Sequence, residues 1–196
     1  MSDPKRKRKY TIYILPILFC GLLIALAVLK GGETEQPVKA VLQEGEPLAL
    51  TDQAMENYLF SVGFTLNGET ILNGDGQKAA AMNVGRTEDG AIESMTLTFP
   101  LTTYIPTEDD AGLEPLKAAH DDDAQRGEEL FLSLFDAISA TDKRVANRRD
   151  SALEKLRKTM SAGKASVQNA NSWRFSFSLE PDLLEGTVTI HMEKVK

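Results

Sequence analysis

Trp173-Arg174-Phe175-Ser176-Phe177-Ser178-Leu179-Glu180 alternates apolar and polar side chains without a break. A period of two belongs to a β-strand with one face buried and the other wet. The same period returns at Val188, Ile190 and Met192, interleaved with Thr189, His191 and Glu193. Residues 181–186, with Pro181 and Gly186 at their ends, supply the turn. The two runs predict an antiparallel hairpin that lays one apolar face on a core.

Toward the N-terminus the period changes to that of a helix. Val145, Ala152, Leu153, Leu156 and Met160 form one apolar stripe, with Gly163 as its stop. Leu130, Phe131, Leu134, Phe135 and Ile138 form another, and Thr141-Asp142 marks the break between the two. Asp121, Asp122 and Asp123 are expected at the positive end of the earlier helix. Residues 107–123 read as acidic and irregular, apart from a short turn near 113–119. Before them lies a second hairpin. Ala80, Met82 and Val84 alternate on one arm and Met95, Leu97 and Phe99 on the other, around Glu88-Asp89-Gly90. Pro100 and Pro106 bracket the end of the second arm.

Residues 51–66 support two readings. Thr51 as N-cap, with Ala54, Met55, Tyr58, Leu59 and Val62 on one face, describes a helix. Tyr58, Phe60, Val62, Phe64 and Leu66 alternate as a strand would. The helix is favoured, with Gly63 closing it. The resulting fold class is α+β: an antiparallel sheet of two hairpins packed on one face by two to three helices.

The N-terminus has a different character. Lys5, Arg6, Lys7, Arg8 and Lys9 fall within residues 1–9, a basic tail. Residues 10–29, beginning with Tyr10 and ending with Leu29, contain no charge. At about 1.5 Å per residue they reach about 30 Å, the thickness of a bilayer's hydrocarbon core. Only Lys30 follows directly, so the positive-inside rule places the tail in the cytoplasm and the rest outside. The expectation is a signal-anchor helix at 10–29, a polar linker at 30–47 and an extracytoplasmic domain at 48–196. Two alternatives stay open. Ala25-Leu26-Ala27 has the spacing of a signal-cleavage site, which would release a secreted ligand-binding domain near Ala27. Cys20 would be acylated in a lipoprotein, but Phe19 stands where a small residue is wanted.

Six cations and one acid of the chain's 22 and 29 precede residue 31, which leaves 16 cations against 28 acids and a net charge of −12. Such a surface argues against a nucleic-acid partner. Cys20 is the only cysteine, so the region beyond the anchor has no disulfide framework and no thiol chemistry.

Few residues suggest chemistry. His120-Asp121-Asp122-Asp123, with Asp109 and Asp110, offers oxygen ligands for Ca²⁺, but the spacing departs from the EF-hand loop and an acidic helix start explains it as well. Ser161-Ala162-Gly163-Lys164 matches S-x-x-K without the companion motifs of penicillin-binding enzymes. His120 and His191 have no interpretable nucleophile spacing. No phosphate loop, dinucleotide fingerprint or H-E-x-x-H occurs, so no cofactor is implied. Arg144, Arg148, Arg149 and Lys155 belong to a basic run, with Lys143, Arg157, Lys158 and Lys164 beside them, in an otherwise acidic domain. They are the candidate partner-binding surface, for an envelope protein or a wall component. Leu183 and Leu184 either cap the core or form a contact patch. Together these features lead to a single-pass envelope accessory or interaction protein, with an anchored hydrolase as the alternative.

Overall fold

The computed structural model describes residues 49–106 and 112–195. The expected span at 10–29 and linker at 30–47, with Asp109 and Asp110, lie outside the described residues. No helix among the described residues is long and apolar enough to cross a membrane.

The elements run α1 (Asp52–Ser61), β1 (Thr65–Asn67), β2 (Thr70–Leu72), β3 (Lys78–Arg86), β4 (Ile92–Thr102), α2 (Glu114–Thr141), α3 (Lys143–Ala146), α4 (Arg149–Ala162), β5 (Ser166–Ala170), β6 (Trp173–Glu180) and β7 (Glu185–Lys194). The seven strands form one antiparallel sheet, ordered β1-β2-β3-β4-β7-β6-β5. It is two meanders joined where β4 meets β7. The helices occupy the chain between those meanders, together with α1 ahead of β1, and the class is α+β.

The helix reading of residues 52–61 holds. Thr51 Oγ1 accepts from the Ala54 N–H at 3.3 Å, an N-cap contact. Gly63, at φ +87°, lets the Phe64 N–H return to the Leu59 carbonyl and close the helix. Leu66 then enters a short strand of its own.

Both predicted hairpins are present, and three further strands join them. β1 and β2 have three residues each, too few to show a period. β5 reads Ser-Val-Gln-Asn-Ala and places polar Gln168 on its buried side. There Gln168 accepts from Ser151 Oγ on α4 at 2.8 Å, which satisfies a buried amide.

β4 passes through Pro100 and ends at Thr102, between the two prolines that bracket it. The neighbouring bonds show why. The Thr102 N–H goes to Asp123 Oδ2 and the Thr103 N–H to the Leu184 carbonyl beside β7. Alternate donors therefore face alternate sides, and Pro100 shares the side of Thr102. Pairing with β3 is already over by Thr98 on that side. The missing N–H of Pro100 interrupts no ladder.

Expectation fails at the start of α2. The helix begins at Glu114 with Pro115 in its first turn, and it runs 28 residues. Asp121, Asp122 and Asp123 therefore lie about two turns inside it, not at its positive end. Leu116, Ala118 and Ala119 are good helix formers, and their lack of a clear stripe hid the extension.

The core lies between the sheet and α2. Phe131 meets Phe177 edge-on at 5.5 Å and Phe175 at 6.1 Å, while Phe135 lies 5.0 Å from Phe175. Each buried ring contributes roughly 1.5–3 kcal/mol by leaving water, and the edge contacts add about 0.5–1.5 kcal/mol. Gly127 lets α2 approach β4: a Cβ there would fall 2.2 Å from Cε2 of Phe99.

Candidate functional site

The break between α2 and α3 is built on one carboxylate. Asp142 ends α2 and caps α3. Its Oδ1 accepts from the Arg144 N–H at 3.1 Å and from Arg144 Nε at 3.3 Å. Its Oδ2 accepts from Asn171 Nδ2 at 2.7 Å and from Ser172 Oγ at 2.6 Å. Asn171 and Ser172 form the two-residue turn between β5 and β6, and Asn171 has φ +53°, a conformation asparagine tolerates. Burial pushes the Asp142 carboxyl up, but the bonds from Ser172, Asn171 and Arg144 outweigh it and hold the group below its ordinary value.

A cavity of about 340 Å³ opens beside this carboxylate. Leu50, Ile92 and Trp173, each 3% exposed, give it an apolar floor. They arrive from three places: the chain before α1, the start of β4 and the start of β6. Arg144 and Lys194 bring positive charge to its wall, and Glu93 brings negative charge. The Arg144 side chain is 73% exposed, yet its Nε is fixed to Asp142. Its two terminal amines have no hydrogen-bond partner among the described residues. That leaves a guanidinium fork, held from behind, above an apolar surface.

The other cations of the basic run have different situations. Arg149 makes a bidentate pair with Asp136, at 2.9 and 3.1 Å. The Asp136 hydrogen bond holds its guanidinium above the ordinary value. Lys155 Nζ donates to the Val167 carbonyl on edge strand β5. Arg157 pairs with Glu128 and Lys158 with Glu154. Arg148 is exposed and has no ion-pair partner among the described residues. Of the four candidate residues, only Arg144 lines this cavity.

Asp121 and Asp122 are exposed on α2. Asp123 is committed elsewhere: Oδ2 accepts from the Thr102 N–H at 2.9 Å and Oγ1 at 2.7 Å, and Oδ1 meets Arg126 at 3.2 Å. Successive helical residues point about 100° apart, so the three carboxylates do not converge. Among the described residues no group of three or more carboxylate, histidine or cysteine side chains is gathered for a metal.

His120 Nδ1 lies 2.7 Å from the Thr102 carbonyl, beside a smaller cavity of about 140 Å³ that Ser161 also lines. α4 ends at Ala162 and Gly163 is left-handed, so Lys164 is no longer one helical turn from Ser161. His191 stands on the outer face of the sheet. Its Nδ1 is 2.9 Å from Thr96 Oγ1, and its Nε2 is 3.6 Å from Glu193 Oε2. Arg174 holds the other oxygen of Glu193 at 3.0 Å. Sequence spacing gave no sign of this line, because Thr96 and His191 meet only through the β4–β7 register.

Leu183 and Leu184 are 91% and 81% exposed and do not cap the core. Their turn is tied to Thr103, whose Oγ1 donates to the Asp182 carbonyl. The cavity residues Leu50, Ile92 and Trp173 were readable only as apolar positions. Asp142 was readable only as a break.

Comparison with known protein families, with curated proteins and with solved structures returns no match.

Proposed function

We propose that the protein is a single-pass, membrane-anchored binding module whose α+β domain lies outside the cytoplasmic membrane, as an accessory or interaction component of a bacterial envelope. The observation that carries this reading is in the sequence: five cations within residues 1–9, then no charge across residues 10–29. The cavity beside Asp142 supports a binding role. It joins an apolar floor to a few fixed polar groups, the usual make-up of a ligand site. Residues 30–47 would span at most about 60 Å when extended, which keeps the domain near the bilayer without fixing its angle. The test is deletion followed by rescue. Recovery of an envelope phenotype by the anchored chain alone supports the reading, and full recovery by a secreted domain overturns the need for the anchor.

A second reading, an anchored hydrolase, is favoured by the Thr96–His191–Glu193 line, which has the order of nucleophile, base and acid. Its setting weighs against it. Thr96 lies on a central strand, paired with Asn83 on one side and His191 on the other, so the backbone donors around it belong to the sheet ladders. Covalent labelling of Thr96 by a fluorophosphonate probe, abolished by His191→Asn, would establish the relay. An unlabelled chain contradicts it.

A further inference from the structure

We propose that the cavity beside Asp142 takes a small amphipathic carboxylate, with its charge on the Arg144 fork and its apolar body over Leu50, Ile92 and Trp173. The inference rests on the reading of this cavity as a ligand site and gives that ligand a chemical class.

Each Asp142 oxygen already accepts two hydrogen bonds, so the carboxylate has little capacity for a ligand donor. Arg144 is in the opposite state. Its Nε is used, its terminal amines have no partner among the described residues, and these present two parallel N–H groups. Recognition at this wall therefore requires an acceptor, and the fork suits a planar bidentate one. Asp142 also orients the guanidinium, which lowers the ordering cost when a ligand binds. Lys194 adds a second positive charge on the wall.

Size and polarity narrow the class. A volume of about 340 Å³ is near the lower end for ligand pockets, roughly 300–1,000 Å³. Leu50 and Ile92 offer nothing to a polar body, and Trp173 offers only an indole N–H, which again asks for an acceptor. A doubly charged phosphate would bring surplus charge toward Glu93 and Asp142. A single carboxylate on a short apolar chain satisfies the fork and covers the floor.

Trp173 is the only tryptophan of the chain, so in the folded protein its fluorescence reports from the floor of this cavity. The full-length chain is reconstituted in phosphatidylcholine vesicles and titrated with hexanoate and with hexanamide, its neutral counterpart. Protein-free vesicles serve as blank. The expected result is a saturable change with hexanoate, affinity for hexanamide at least about tenfold weaker, and loss of that preference in Arg144→Gln but not in Arg148→Gln. An unchanged melting transition shows that Arg144→Gln is folded, and Arg144→Lys, which keeps charge without the fork, provides a second variant. Equal affinity for both probes, or a preference that survives Arg144→Gln, overturns the carboxylate class while the cavity remains a site. No saturable change with either probe overturns the ligand-site reading itself.

Discussion

Asp142 Oδ2 and Ser172 Oγ meet at 2.6 Å, and that contact ties the break between two helices to the turn between two strands. Asn171 reaches the same oxygen, and Arg144 occupies the other. Replacing Asp142 with alanine leaves these donors unpaired and removes the cap of α3. Destabilisation of about 2–4 kcal/mol is expected, measured by urea unfolding followed through Trp173.

The same carboxyl has a predictable pH dependence. Its folded pKa lies below the ordinary aspartate value of about 3.9. The folded state therefore binds the proton less readily than the unfolded state. Asp142 contributes stability that is complete above the unfolded value and lost as pH falls through the folded one. Unfolding midpoints measured from pH 6 downward should show a loss that begins below about pH 5. In Asp142→Asn the chain should be less stable at pH 6, and its midpoint should fall less over the acid range.

Gly127 is a packing device. A methyl group there would overlap the Phe99 ring at 2.2 Å, and Phe99 is itself buried. The helix propensity gained by Gly127→Ala is about 1 kcal/mol, whereas overpacking in a close-packed interior costs about 1–3 kcal/mol. A net loss of up to about 2 kcal/mol is expected. A double-mutant cycle with Phe99→Leu should recover part of it, because the clash lies between these two side chains. Additive effects would show that α2 relaxes away from β4.

The exposed pair Leu183 and Leu184 gives a contrasting prediction. Neither side chain enters the core, so replacing both with serine should change stability by no more than about 0.5 kcal/mol per site. A larger loss, read from the same urea titration, would mean that the turn packs more closely than its exposure indicates.

The sheet was legible wherever a strand buried one face and was long enough to repeat. β3, β4, β6 and β7 meet both conditions. β1 and β2 are too short, and Gln168 broke the pattern in β5 because its partner, Ser151, lies 17 residues away on α4. The start of α2 was hidden because residues 114–124 are mostly exposed, so no stripe marks them. The cavity was beyond sequence for a related reason. Leu50, Ile92, Asp142 and Trp173 converge through the sheet order and the α2–α3 break, and spacing along a chain does not encode that convergence. The basic run was legible as charge. Two of the carboxylates that neutralise it, Glu128 and Asp136, come from a different helix, while Asp142 and Glu154 pair with Arg144 and Lys158 close by in the chain.

The anchor at residues 10–29 is the claim on which the location of the domain depends. Cell fractionation with mass-spectrometric mapping of the N-terminus, combined with protease accessibility of the C-terminal domain, tests it most directly. The account predicts an intact segment from Lys5 to Leu29 in the membrane fraction, with the domain digested from the outside. A mature N-terminus at Val28, recovered in the soluble fraction, would contradict it.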